Sequence, residues 1–204
     1  MAVKISGINA QENYRKNLWS SIMIRKSVGS DFSVTGDFGY RSCDQFVRTS
    51  RTAFGRLVLE KTIFDFHSLG IGYALFGHYK SDWRMEYRPY LQYSYQRSLK
   101  TLQLGIRFRN EFRCLDAIAG PLNRTRLQIS SRYNGFHQLF QPGIAAEGFF
   151  TPGKEHFIEQ RYTISVFSRL NNRFTNQIFY TLQRQSKIEL DQNILGIQLQ
   201  IHLE

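Results

Sequence analysis

Hydrophobic and polar residues alternate along most of this chain, and positions 103–113 show the pattern most clearly. Every second residue there is apolar, and the residues between are charged, amide or glycine. Because successive side chains of a β-strand point to opposite faces of a sheet, this period predicts a strand with one apolar and one polar face. The apolar set is Leu104, Ile106, Phe108 and Phe112, and the polar set is Gln103, Gly105, Arg107, Arg109, Glu111 and Arg113.

The same period recurs in ten other segments, so the sequence predicts about eleven strands and an all-β fold. Each segment has roughly ten residues, the length that crosses a bilayer at a tilt. No segment has the apolar period of an amphipathic helix of three turns. The eleven segments are 19–26, 32–41, 54–63, 68–77, 84–96, 103–113, 124–133, 142–150, 159–167, 175–183 and 194–203.

The composition of the two faces indicates which of them is buried. In a soluble sandwich or small barrel the apolar face points inward, whereas in an outer-membrane barrel it faces lipid and polar side chains fill the lumen. Large Arg and Glu side chains beside small Gly residues suit a narrow, filled lumen. The pattern favours a single antiparallel transmembrane β-barrel of the outer-membrane type, although alternation alone also fits a soluble sandwich.

The connections between the predicted strands alternate in length. Short connections lie near Ser30, Asp65, Ser98, Gly135 and Asn171. Longer connections lie near residues 42–52, 78–83, 114–122, 150–156 and 185–192. Short periplasmic turns and longer outer loops are the hairpin order of outer-membrane barrels, so this alternation supports the same fold.

The number of strands follows from the usual even count of bacterial single-chain barrels. We expect 12 strands, with a weak additional strand near Val3–Gly7, or 10 if two N-terminal candidates fail. Residues 1–16 are then a weak first strand, a signal-peptide remnant or a cloning leader, and the barrel spans residues 17–204. The first residues lack the long apolar core of a signal peptide, so we expect that peptide to be missing from this sequence.

Arginine dominates the basic residues, which outnumber the acidic ones and give a net charge of +11. The arginines lie within strands beside glutamates, and the planar guanidinium pairs with carboxylates through two hydrogen bonds. We predict a charge network in the lumen formed by Arg84, Glu86, Arg88, Arg107, Arg109, Glu111, Arg113, Arg124, Arg126, Arg132, Glu147, Glu159 and Arg161. We predict lipid contact for Leu104, Ile106, Phe108, Leu127, Ile129, Ile164, Ile197 and Leu199.

The charge network suggests two roles for the lumen. Because unpaired buried charge is costly, the network is expected chiefly to fill the lumen and stiffen the wall. Cations exceed carboxylates in the predicted set, and rings of arginine favour anions in pores. The sequence therefore predicts a structural or accessory barrel, or a narrow anion-biased pore.

Several long segments resemble an uncharacterised family of bacterial outer-membrane β-barrels, domain of unknown function 2490. In chain order these segments are LWSSIMIRKSVGSDFSVTGDFGYR, SLGIGYALF, YRPYLQYSYQRSLKTLQLGIRFRNEFR, LNRTRLQISSRYN, GIAAEGFF, QRYTISVFSRLNNRFTNQIFYTLQRQ and NILGIQLQIHL. They cover nearly all of the chain after Asn17. The resemblance implies an outer-membrane barrel with no assigned activity, and it supplies no catalytic residues. The chain ends in Leu203 and Glu204, whereas such barrels usually end in an aromatic residue.

Two alternatives remain open at the level of sequence: an outer-membrane barrel enzyme that hydrolyses lipid or peptide, and a soluble basic β protein that binds a polyanion. No Ser-His-acid spacing or metal-ligand spacing is present, so we predict no catalytic residue, metal or cofactor. We expect outer-membrane lipid as a partner, along with other outer-membrane proteins and an unknown small solute. We expect no nucleic acid, because aromatics and arginines alternate to opposite faces.

Overall fold

A computed structural model describes residues 14–43, 50–79, 81–116, 120–152, 158–185 and 190–203. These residues contain eleven β-strands and no helix. Each strand includes one of the eleven periodic segments, so the predicted all-β fold is confirmed. The strands are β1 (Tyr14–Val28), β2 (Phe32–Cys43), β3 (Ser50–Phe64), β4 (His67–Tyr79), β5 (Trp83–Leu99), β6 (Leu102–Leu115), β7 (Leu122–Tyr133), β8 (Gln141–Phe150), β9 (Glu159–Arg169), β10 (Phe174–Gln185) and β11 (Leu190–Leu203).

The strands form one closed barrel in which chain neighbours pair antiparallel and β1 pairs with β11 in parallel. At this seam Trp19 is level with Gly196. Neither the expected 12 strands nor 10 is confirmed, since eleven described strands close the barrel. An even count follows only when the first and last strands pair antiparallel, and a parallel seam allows an odd count. The strand expected near Val3–Gly7 lies outside the described residues.

The outer face of the barrel is apolar and exposed. Ile164, for example, is 61% exposed at the middle of β9. Every described strand contributes to an outer apolar belt, made of Ile22, Phe38, Leu57, Ile71, Leu91, Ile106, Ile129, Ile144, Ile164, Ile178 and Ile197. This arrangement is the opposite of a soluble barrel, which exposes its polar face.

The inner face of the barrel is buried and largely charged. Glu86 is 1% exposed and Glu111 is 2% exposed, and Arg88 and Arg109 are also buried. A small apolar core accompanies these charges, formed by Phe54, Val58, Ala74, Phe76 and Tyr90. Charged side chains therefore occupy positions that hydrocarbon side chains fill in most soluble proteins.

The connections define two ends of the barrel. The loop end carries connections 44–49, 80–82, 116–121, 151–158 and 186–189, and the turn end carries 29–31, 65–66, 100–101, 134–140 and 170–173. Several connections differ in length from expectation, two of them in a way that changes the picture. The predicted loop 78–83 shrinks to 80–82, because Tyr79 pairs with Trp83 and their rings lie 5.5 Å apart. At the turn end, 134–140 is longer than the tight hairpins at 65–66 and 100–101.

Among the described residues, no helix has the length and apolar character needed to cross a membrane.

Candidate functional site: an arginine cluster inside the barrel

Glycines on the inner wall make room for aromatic rings from the neighbouring strand. The three pairs, each level across two strands, are Gly39 with Phe54, Gly72 with Tyr90, and Gly196 with Phe179. A Cβ atom on Gly72 would lie 2.2 Å from the Tyr90 ring, which no side chain tolerates. The missing side chains let the rings lie close against the sheet, a cross-strand arrangement that also shields the glycine backbone.

Arginine guanidinium groups lie over several of the inward rings. The Arg109 Cζ atom is 4.2 Å from the centroid of Tyr90, and the Arg88 Cζ atom is 3.8 Å from that of Phe76. Phe149, fully buried, has three such neighbours at 4.6–5.0 Å, which are Arg124, Arg126 and Arg161. Each contact is a cation–π attraction that strengthens as water is removed. The inner wall thus has a layer of rings beneath a layer of cations.

Glu111 joins two arginines of the adjacent strand β7. Its Oε2 atom accepts hydrogen bonds from Nε and Nη2 of Arg124 at 3.1 and 2.5 Å. Its Oε1 atom accepts one from Nη1 of Arg126 at 2.7 Å. Arg124 stands directly across from Glu111 in the β6–β7 ladder, so the strand register brings these charges together.

Arg126 continues the network to strand β8. Its Nε and Nη2 atoms donate to Oε1 of Glu147 at 3.1 and 2.7 Å, so this guanidinium bridges Glu111 and Glu147. Glu147 also has Arg161 at 3.6 Å and Arg107 at 3.7 Å. One buried carboxylate therefore balances parts of three arginines.

Glu86 is the most buried carboxylate of the network. Arg88 binds it with two hydrogen bonds, Nε to Oε1 at 2.8 Å and Nη2 to Oε2 at 2.7 Å. Arg113 donates through Nε to Oε1, and the His78 Nε2 atom lies 3.0 Å from Oε2. The carboxylate thus has partners on three strands, and these contacts offset the cost of its burial.

Two further ion pairs complete the network, which we call the arginine cluster. Arg161 lies 2.6 Å from Glu159, and Arg56 pairs with Asp37. The ion-paired members are Arg56, Arg88, Arg107, Arg109, Arg113, Arg124, Arg126 and Arg161 with Asp37, Glu86, Glu111, Glu147 and Glu159. We also count Arg41 in the cluster because it lines the same cavity. Among these described residues positive charges exceed negative charges by four.

Two neighbouring spaces lie inside the barrel. A loop-end cavity has a volume of about 270 Å³, and its described lining includes eight arginines of the cluster and two carboxylates, Glu111 and Glu159. A turn-end chamber of about 850 Å³ is lined mainly by amide and hydroxyl side chains and reaches Asn172 in a turn-end connection. Arg56 and Arg109 line both spaces and so mark their boundary.

The structure brings together eleven of the thirteen residues predicted for the lumen network. Arg84 is instead exposed near the start of β5, and Arg132 lies over the ring of Phe167 at 5.0 Å. Neither has an ion pair within the described part of the chain. The sequence-based set omits Arg41, Arg56 and Asp37, although alternation places all three opposite an apolar face.

The residues predicted to contact lipid all lie on the outer face. Five are exposed, namely Ile106, Phe108, Ile129, Ile164 and Ile197, and three are half-buried, namely Leu104, Leu127 and Leu199. Contact with lipid itself stays a prediction.

The expectation that arginines and aromatics occupy opposite faces is wrong for several rings. Trp19, Phe54, Phe76, Tyr90 and Phe149 all lie on the inner face against guanidinium groups. Alternation places these rings on the polar face, but their contact with guanidinium groups depends on barrel closure and strand register, which the local pattern does not contain. The prediction that the protein binds no nucleic acid loses this premise and stays a prediction.

No group of three or more His, Cys, Asp or Glu side chains suited to a metal ion occurs in the described ranges. The two ring nitrogens of His78 are in contact with the side chains of Thr52 and Glu86. Cys114 is a free and exposed thiol near the end of β6. The charged side chains that line the loop-end cavity are arginines and glutamates.

Three solved porin structures share this fold. "KdgM porin" has 14% sequence identity and a TM-score of 0.51, covering 78% of this chain and 80% of its own. "KdgM porin in complex with disordered oligogalacturonate" has 13% identity and a TM-score of 0.51, covering 81% and 82%. "NanC porin structure in rhombohedral crystal form" has 14% identity and a TM-score of 0.51, covering 87% and 94%. At such identities the likeness establishes a porin-like β-barrel fold and nothing more.

A search of curated proteins finds no match. A family profile, by contrast, matches residues 16–193, which is most of the chain. This match confirms the resemblance drawn from the strand segments and from the Arg- and Glu-rich strands. The chain belongs to the family described as "Protein of unknown function (DUF2490)".

Proposed function

We propose that this protein is a narrow outer-membrane pore that favours small anionic solutes. The observation that carries the proposal is the excess of buried positive charge inside a barrel whose outer face is apolar. A charged ring or cavity along a water-filled path selects ions of the opposite sign. The arginine cluster thus serves as a filter as well as a wall support.

The membrane location rests on the outer apolar belt. Apolar side chains encircle the barrel, and each of the eleven described strands contributes an exposed one. Exposed apolar surface of this extent is unfavourable in water but suits the hydrocarbon of a bilayer. The porin-like fold of the solved neighbours supports an outer membrane.

The anionic solute rests on the charge of the loop-end cavity. Among the described residues, eight arginines and two carboxylates line it, so an entering anion meets a positive potential that these carboxylates only partly neutralise. One structural neighbour is described in complex with oligogalacturonate, which is an acidic carbohydrate. This supports an anionic solute for the present barrel without naming it.

The path of a solute would run through both internal spaces. The turn-end chamber is wide and polar, and the loop-end cavity is narrow and positive. Arg56 and Arg109 stand where they meet, so they control the boundary. Ion-paired arginines line the small loop-end cavity, so we expect a small conductance.

Ion selectivity in planar bilayers tests the proposal. The purified barrel should give a reversal potential that corresponds to a chloride-to-potassium permeability ratio above one in a KCl gradient. Arg109→Gln should lower this ratio several-fold, because Arg109 lines both spaces and its hydrogen bonds go to the neutral Gln92. Arg184→Gln is the matched control, since this arginine is mostly exposed beside Asp191. A cation preference, or equal ratios in all three proteins, would contradict an anion filter.

The proposal makes the protein a channel rather than an enzyme. The hypothesis of a hydrolase predicts that the purified barrel turns over phospholipid or peptide. We expect its hydrolysis rate to equal that of the heat-inactivated protein. The hypothesis of a soluble polyanion-binding protein predicts that carbonate alone releases the protein from membranes. We expect that only detergent releases it.

A further inference from the structure

Arg41 differs from every other arginine of the cluster. It lines the loop-end cavity, yet its side chain has no ion pair or hydrogen bond with any described residue. Its Nε atom is buried and lacks a hydrogen-bond partner. The other eight guanidinium groups of the cluster each have a carboxylate within 4.0 Å. A guanidinium without its counter-charge is costly inside a barrel unless something else supplies the acceptor.

Aromatic rings hold this guanidinium in place. The Arg41 Cζ atom lies 4.1 Å from the centroid of Trp19, 4.7 Å from that of Phe54 and 5.7 Å from that of Phe76. Stacking of this kind satisfies the face of the planar cation but not its N–H groups, which point outward in its plane. The donors of Arg41 therefore need acceptors that the neighbouring rings do not have.

We propose that Arg41 is the binding residue for a small oxyanion, a carboxylate or a phosphate, in the loop-end cavity. The cavity volume of about 270 Å³ accommodates such a group together with water. The planar fork of a guanidinium matches two oxygens of one carboxylate or phosphate, and a spherical halide makes no such pair. The positive excess of the cluster supplies the long-range attraction, and Arg41 supplies the directed hydrogen bonds.

This inference deepens the proposed pore by naming the residue at which a permeating anion pauses. It rests on that function only for its biological meaning, because binding in the cavity can be measured without transport. The sequence offers a convenient reporter, since the chain has two tryptophans and one of them, Trp19, stacks on Arg41. The other, Trp83, is 60% exposed on the outer side of β5.

The test uses the full chain with Trp83→Phe, folded in detergent, and follows Trp19 emission. Sodium acetate and sodium phosphate are titrated separately against sodium chloride at constant ionic strength. We expect a saturable emission change with at least one oxyanion, because an anion on the guanidinium alters the charge stacked against the indole. Acetate alone would identify a carboxylate site, and phosphate alone a phosphate site. No saturable change with either oxyanion overturns the proposal.

Three variants decide whether Arg41 is responsible. Arg41→Gln should abolish the saturable change, and Arg41→Lys should weaken binding at least tenfold because a lysine keeps the charge but loses the fork. Arg84→Gln, an exposed arginine without an ion pair among the described residues, should bind like the parent. If Arg41→Gln fails to fold, Arg41→Lys decides alone. Unchanged affinity in a folded Arg41 variant overturns the assignment.

The bilayer and fluorescence experiments separate the two proposals. Saturable binding at Arg41 without anion selectivity would leave a binding site in a barrel that is not an anion filter. Anion selectivity without binding at Arg41 would leave a pore whose filter is spread over the cluster.

Discussion

Arg88 and Glu86 lie two positions apart on one strand, and their side chains meet in a two-point ion pair of 2.8 and 2.7 Å. Residues two positions apart share a face of a strand, so this ion pair lies entirely within β5. Neighbouring strands then add Arg113 and His78 to the same carboxylate. Glu86 therefore links side chains of three neighbouring strands near the loop end of the barrel.

Removing the charge of Glu86 should destabilise the barrel. Glu86→Gln leaves Arg88 and Arg113 without their carboxylate in a buried site, and breaking a buried pair costs about 3–5 kcal/mol. We expect a lower midpoint of thermal unfolding and a stronger anion preference in bilayers. Asp82→Asn is the matched control, because Asp82 lies in an exposed loop-end connection beside Ser81. Equal unfolding midpoints for both variants would mean that the cluster is only a solvated lining.

The outer apolar belt predicts a cost that depends on depth in the bilayer. Ile106 lies near the middle of β6, level with Ile129, and is exposed. Arg at this position should cost about 2–4 kcal/mol if lipid surrounds it. Leu99→Arg, at the turn end of β5, should cost only about 0–1 kcal/mol, as near-interface positions do.

The free energy of folding into lipid vesicles, measured by denaturant titration, gives both costs. An Ile106→Arg protein as stable as the parent would show that this face does not meet hydrocarbon. A large cost for both variants would point to packing rather than to depth.

The glycine beneath Tyr90 predicts a steric effect inside the barrel. The Cβ atom added by Gly72→Ala would lie 2.2 Å from the ring, so the ring must leave the wall and disturb Arg109 above it. Overpacking of this kind costs about 1–3 kcal/mol. We expect the unfolding midpoint to fall and the conductance to drop as the ring enters the chamber.

A double-mutant cycle isolates the clash at this site. In a Tyr90→Ala background the cost of Gly72→Ala should vanish, since the ring that it meets is gone. Gly36→Ala is the matched control, because its Cβ atom would meet Phe38 at an ordinary 3.4 Å. If Gly72→Ala costs the same with and without Tyr90, the glycine serves the backbone and not the ring.

The two ends of the barrel predict its orientation in the cell. With the loop end outward, a thiol at Asp82→Cys should react with a membrane-impermeant maleimide on intact cells, in a protein whose Cys43 and Cys114 are changed to serine. A thiol at Thr101→Cys, in a turn-end connection, should react only after the outer membrane is permeabilised. The opposite labelling pattern would mean that the turn end, and not the loop end, faces outward.

Alternation alone predicts the eleven strands and their faces, because the side-chain period depends only on neighbours in the chain. Its limits are clear at Arg41 and Arg56. Their inward direction follows from the outward residues Tyr40 and Leu57 next to them, but their role depends on which strands and rings come near them in the lumen. Such proximity depends on closure and register, which no single segment contains. The rings of Phe76 and Phe149 are missed for the same reason.

The strand count shows a different limit. Eleven segments are readable in the sequence, and eleven strands form the described barrel. The expectation of an even number came from a rule about barrels built only of hairpins. The first and last strands can pair in parallel or antiparallel. The local alternation of each strand is the same for either pairing, so the sequence pattern does not distinguish them.

The parallel seam between β1 and β11 also separates the ends of the barrel domain. Tyr14 starts β1 at the loop end, and Leu203 finishes β11 at the turn end. In a barrel of hairpins alone these two positions would be neighbours on one side, and a short linker could join them in a circular permutant. Here such a linker would have to travel the full height of the wall through lipid or lumen. A tag fused before Tyr14 and a tag fused after Leu203 should consequently report from opposite sides of the membrane.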